Sequence, residues 1–255
     1  LSYFRLLSFY QEMKVKATHS VSPSSEIGQR FFKAVYNGPV GKPIHTCQQN
    51  RFISYAQESG GLFIMDLSDL EKNFPEGEMV PDLLKNLLDF ERALGAFYSG
   101  DFELFAHGAS SVLHWFDGDS AMGDQFVIFG SGGDGSLYGF WRYPGISMRE
   151  APVVFLGSEG DVVLVLASTF LDFLALLTLG KESLGYCVAA LDLTAEEADD
   201  PSLKAFRWWA AEQYGITVPE DGSAIVQTAQ NTHPDLDAAI SDWAVQHFGS
   251  ASDPI

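Results

Sequence analysis

FVIFGSGGDGSLYGFWR, residues 126–142, decides how this chain folds. Two short apolar runs flank a glycine- and aspartate-rich stretch, and the Gly-Gly and Asp-Gly pairs suit turn positions that need positive φ. The pattern predicts a tight hairpin. A short loop later comes PVVFLGSEGDVVLVLASTFLDFLALLTLG, residues 152–180, in which VVFLG and VVLVLA read as a second strand pair joined through SEGD. Ser168 or Thr169 then caps a helix whose Phe170, Phe173, Leu174 and Leu177 return over the sheet. Upstream, FELFAH (102–107) and SVLHWF (111–116) read as further short strands, with turns at HGASS (107–111) and DGDSAMGD (117–124). Strands covered by helices make an α+β layer arrangement with a mostly antiparallel sheet.

Before the strands, a helix following Pro81 spreads Leu83, Leu84, Leu87 and Leu88 over a wide apolar face. Further back, residues 1–17 carry apolar residues at helical spacing without a small-residue cleavage site, so no secretory leader is expected. A helix is expected over 26–36 and a turn at 38–43, and FISYA and GLFIM within 44–65 read as strands. The far end changes character. Thr194 and Glu197 have capping-box spacing, PSLKAFRWWAAEQYG is a helix closed by Gly215, and THPDLDAAISDWAVQHFG is another, with Thr232 as its cap. These helices either pack onto the sheet or form a minor lobe. The expected organisation is a helical lead-in over 1–60, an α+β core over 61–180 and an acidic helical extension over 181–255.

At 255 residues, 46% of them hydrophobic, the chain is long and apolar enough to bury a full core. Its net charge of −19 is uneven, because residues 1–60 are basic while 61–180 hold eighteen carboxylates against five lysines and arginines, and 181–255 thirteen against three. Such a surface repels nucleic-acid phosphates and anionic membranes, and it attracts a basic protein partner; maintaining solubility alone is the alternative. Cys47 and Cys187 lack CxxC spacing, which favours a reducing, cytoplasmic setting and leaves open whether they pair.

The segments FGSGGDGSLYGF (129–140), PVVFLGSEG (152–160) and ASTFLDFL (167–174) together resemble the SUKH superfamily, also called the SMI1/KNR4 family. The likeness lies in their order: a glycine-rich turn closing on a tyrosine strand, a proline-led apolar strand, then a small polar residue opening a Phe-x-x-Phe-Leu helix. The resemblance implies a twisted, mostly antiparallel sheet flanked by helices. It also implies a non-catalytic role, since many bacterial relatives are immunity proteins that neutralise toxin domains, often nucleases, and eukaryotic relatives are regulatory interaction proteins. The long lead-in and the 75-residue tail depart from a compact member of that family.

Chemistry is poorly represented. GSGGDGS lacks the lysine of a phosphate loop, and DGDSAMGD lacks the closing glutamate of a calcium loop. His107 and His114 have no zinc-ligand spacing, and Ser131 and Ser158 sit in no nucleophile elbow. A hydrolase working through Glu159 and Asp117 is the remaining enzymatic alternative. No cofactor, metal or catalytic residue is therefore expected. The acids Asp117, Asp119, Asp124, Asp134 and Glu159, all in turns, are expected to converge at the sheet margin and steer a basic partner. Adjacent Trp208 and Trp209 must split across a helix, one buried and one exposed as an interface anchor. Tyr138 and Trp141, three apart in a strand, face opposite ways.

Overall fold

Apolar side chains occupy both faces of the central strands, so water must be excluded from both sides of the sheet. The computed structural model describes residues 65–108, 111–197 and 200–249. They open with α1 (Leu67–Glu71) and α2 (Asp82–Leu94), followed by β1 (Glu103–Leu104), a 3-10 turn (Ser111–Phe116) and α3 (Ser120–Gly123). Four strands come next: β2 (Phe126–Ser131), β3 (Leu137–Trp141), β4 (Val153–Leu156) and β5 (Val163–Ala167). The helices α4 (Phe170–Leu177), α5 (Leu184–Ala189), α6 (Pro201–Tyr214), α7 (Ser223–Thr232) and α8 (Leu236–Phe248) complete the described chain. The features expected over 1–60, and Cys47 with them, lie outside the described residues; Cys187 carries a free thiol.

The five strands form one antiparallel meander in the order β1-β2-β3-β4-β5. In the β2-β3 turn the Gly132 amide donates to the Ser136 carbonyl (2.8 Å), Gly135 takes φ +89°, and Asp134 accepts from the Ser136 amide (2.9 Å). Glycine removes the steric cost of that left-handed position.

Val127, Phe129, Tyr138, Phe140, Val153 and Phe155 face one side, where α2, α4, α5 and α6 supply Leu84, Leu87, Phe173, Leu174, Val188 and Phe206. The rings interlock, with Phe102 5.2 Å from Tyr138 and 5.5 Å from Phe173. Helix α5 meets the sheet backbone-first: a Cβ on Gly185 would lie 2.2 Å from the Phe155 ring. The alternate residues Phe126, Ile128, Trp141, Val154 and Val165 are buried as well. Their cover comes from Phe116 of the 3-10 turn, Met122 of α3, and Leu236, Ile240 and Ala244 of α8. Helix α7 lies along β5, where Gln230 Nε2 donates to the Val165 carbonyl (3.4 Å). Tyr138 and Trp141 do face opposite ways, and both are buried because both faces are covered.

The tail is fastened by polar contacts. Arg207 of α6 donates to the carbonyls of Thr178 (2.7 Å), Leu179 (3.3 Å) and Glu196 (2.9 Å), satisfying acceptors left open at the end of α4. Lys181, with a side chain only 5% exposed, reaches Asp192 (3.0 Å) and Glu196 (2.6 Å). Burial works against its charge, but the two carboxylates outweigh that and hold its pKa above the usual lysine value. All described residues belong to one compact unit, and none of its helices is long and apolar enough to cross a membrane.

Several local expectations are corrected. SVLHWF winds into a 3-10 turn instead of a strand, which puts Val112 and Phe116 on the buried side four residues apart. FELFAH is a strand only over Glu103 and Leu104, with the Phe105 amide donating once more to the Phe129 carbonyl (3.0 Å); beyond that the Asn73 side chain takes over, donating to the Phe105 carbonyl (2.6 Å) and accepting from the amides of His107 (2.7 Å) and Gly108 (2.8 Å). DGDSAMGD contains the helical turn α3, capped by Asp119. Thr194 bridges to Asp221 instead of capping a helix, and α6 is capped by Asp200 with Pro201 in its first turn. Thr232 ends α7, and Asp235 caps α8.

Glu91 closes the outer edge of the sheet. Its carboxylate accepts from the Leu104 amide (3.2 Å) and the Tyr98 hydroxyl (3.1 Å). Burial raises its pKa to about 7 despite these two donors, and nearby Glu103 adds to the rise. Because the folded state holds this proton more tightly than the unfolded chain, stability falls as pH rises from about 4.5 to about 7, by roughly 3 kcal/mol for this group. Glu91→Gln is expected to flatten that slope and to melt higher than the parent at pH 8; denaturant titrations of both proteins across this pH range check it.

Candidate functional site

The meander sends the expected acids to opposite ends of the sheet. The β2-β3 turn (132–136) and the β4-β5 turn (157–162) share one end, since Leu137 pairs with Leu156, and there Ser158 Oγ donates to Asp134 (3.5 Å) and the Ser158 amide to Ser136 Oγ (3.1 Å). Asp134 and Glu159 belong to this end. Asp117, Asp119 and Asp124 precede β2 and lie at the other, where Phe126 pairs with Trp141. The expected convergence of all five acids is therefore wrong, for the reason that antiparallel strands alternate which end their connections occupy. Glu159 and Asp117 are likewise separated by the length of β3, roughly 16 Å at about 3.3 Å per residue. Paired-carboxylate glycoside chemistry needs about 5–9.5 Å, so these two cannot flank one bond. Among the described residues no three of His, Cys, Asp or Glu gather where they could hold a metal ion.

The end preceding β2 carries a groove of about 550 Å³ between α3, the loop after β3 and α8. Trp141 and Gln125 line the sheet side, Tyr143 and Pro144 the loop, and Asp242 and Trp243 the helix, with Asp119 among them. Sequence puts each in place. The Asp119 side chain caps α3 by accepting from the Ala121 amide (2.8 Å), and its other oxygen accepts from Trp243 Nε1 (2.7 Å), 124 residues away. That indole bond, with the cap, holds Asp119 below the usual carboxylate pKa. His247 Nδ1 stands 3.9 Å from the same oxygen. Trp141, 1% exposed, donates to Gln125 Oε1 (3.3 Å), while Gln125 Nε2 donates to the Ala121 carbonyl (2.9 Å). The Tyr143 hydroxyl meets His233 Nδ1 at 3.1 Å, and burial pulls the His233 pKa down.

Behind these groups runs a chain of rings. Tyr143 lies 5.0 Å from Trp141, Trp141 6.4 Å from Phe126, Phe126 5.2 Å from Phe116, and Phe116 5.2 Å from Trp243. The aromatic wall is thus rigidly backed, and its indole nitrogens are occupied from within.

The tryptophan pair splits as the helical period requires. Trp208 is 67% exposed. Trp209 packs against Phe90 (4.8 Å), Tyr214 (5.3 Å) and Phe206 (5.7 Å), so it is the packed member of the pair and Trp208 the exposed one. Sequence reasoning passed over Gln125, Tyr143 and Asp242. The signal for the last was present: Ala239, Asp242, Trp243 and Gln246 fall at i, i+3, i+4 and i+7, one stripe of α8. No family model, curated protein or solved structure matches this chain.

Trp243→Phe keeps the ring and removes its donor to Asp119, and should cost about 1–2 kcal/mol. Asp119→Ala removes the α3 cap as well and should cost more. The double variant is expected to lose less than the sum of the two in urea unfolding, because both changes break the same bond.

Proposed function

We propose that this chain is a non-catalytic protein-binding module that holds a basic partner, acting as the immunity proteins of the SUKH superfamily do, with a toxin domain as the natural candidate for that partner. The observation that carries this reading is the groove. Two carboxylates, Asp119 and Asp242, stand on a backed aromatic wall, with exposed Asp117 and Asp124 close by in sequence and no lysine or arginine in the lining. Exposed acids speed encounter with a cationic surface, and aromatic side chains desolvated in the contact slow release.

The SUKH resemblance supports the same direction. A glycine-turned hairpin, a proline-led strand and a phenylalanine-rich helix build the scaffold, and the partner-contacting surface is left to vary. A regulatory role for the tail helices is compatible with this arrangement, since α8 forms one wall of the groove.

Calorimetric titration with the product of the neighbouring gene, at about 50 and about 300 mM salt, tests the reading. A complex is expected whose affinity falls at least about tenfold over that range, and about tenfold at the lower salt in Asp117→Asn/Asp124→Asn/Asp242→Asn. Absence of a complex, or one indifferent to salt and to these changes, would contradict it.

A further inference from the structure

We infer that the groove between α3, the loop after β3 and α8 is a receptor for an arginine side chain presented by a protein partner. The inference rests on the proposed binding role and adds the chemistry of the anchor.

The argument is an accounting of polar groups. Trp141 Nε1, Trp243 Nε1, the Gln125 carbonyl and one of the two Gln125 N–H groups are engaged within the protein, and the Tyr143 hydroxyl meets His233 Nδ1. Each oxygen of Asp119 accepts one hydrogen bond and retains a second lone pair. Asp242, one residue before Trp243, is exposed. Apart from the second N–H of Gln125 and the flexible amide of Gln246, the capacity left in the groove is that of an acceptor, it is anionic, and it lies against the half-buried rings of Tyr143 and Trp243.

A guanidinium answers all three features. It offers five N–H donors and no acceptor, it carries a permanent charge, and its plane stacks on aromatic faces while its edge meets a carboxylate. A lysine ammonium supplies the charge but not the plane. A sugar hydroxyl presents an acceptor for each donor, and only the amides of Gln125 and Gln246 would meet it. The rigid backing of the wall by Phe116 and Phe126 means that little order has to be imposed when the side chain enters.

The test is a proton–nitrogen NMR titration of the full chain with the peptide acetyl-Gly-Arg-Gly-amide. Indole N–H resonances are followed, and Trp243→Phe assigns that of Trp243. The arginine peptide is expected to shift this resonance saturably at millimolar concentration. The same peptide with citrulline, isosteric and uncharged, should leave it unmoved, and Asp242→Asn should weaken the arginine peptide about three- to fivefold. A silent Trp243 resonance would overturn the inference, as would an equal response to citrulline, a stronger response to methyl glucoside, or indifference to Asp242→Asn. If the arginine peptide fails while a salt-sensitive protein complex persists, the anchor is wrong and the binding role stands. If the peptide binds and no basic protein does, the receptor stands and the larger role falls.

Discussion

The three central strands have no face that water can touch. Phe129, Tyr138 and Phe155 point one way and Phe126, Trp141 and Val154 the other, and all six are buried. A hairpin sheet with one solvated side would alternate apolar and polar residues, whereas β2, β3 and β4 are buried at every position. The helices that follow the sheet are therefore obligatory cover. Exposing the second face would put several large side chains into water, each worth about 1.5–3 kcal/mol. This constraint brings α8 across the sheet and places Trp243 beside Asp119.

The functional geometry is a by-product of that cover. Where α8 crosses the sheet end it leaves a gap against α3 and the loop after β3, and the gap is lined by the groups that close the core. Their polar atoms are paired among themselves, as in the Trp243–Asp119 and Trp141–Gln125 bonds. Negative charge and aromatic surface remain available. Packing, not a dedicated loop, has shaped the groove. At the opposite end of the sheet, Asp101 accepts from Gly133 and Ser183 and ties the β2-β3 turn to the start of α5, so that this carboxylate is structural.

Much of the architecture was legible in the residues. The GSGGDGS turn, the SEGD turn and the Thr169 cap follow from local chemistry, and the structure has all three. Two of the failures share a cause, which is competition from distant side chains. Nothing near FELFAH announces that Asn73 will take its backbone groups, and nothing in SVLHWF announces a one-sided site against Phe126 that favours a 3-10 turn. The acids of the site were recognisable as turn acids, but their grouping depended on topology, which sends Asp119 and Asp134 to opposite ends. Asp242 was passed over, because the groove exists only once α8 has been laid on the sheet.

Hydrogen–deuterium exchange of the chain alone and with the basic partner proposed for it addresses the central claim most directly. The account requires added protection in residues 119–125 and 239–246, with the turns at 132–136 and 157–162 unchanged. Protection confined to those two turns, or to the exposed side of α6 around Trp208, would show that the partner docks elsewhere and would contradict it.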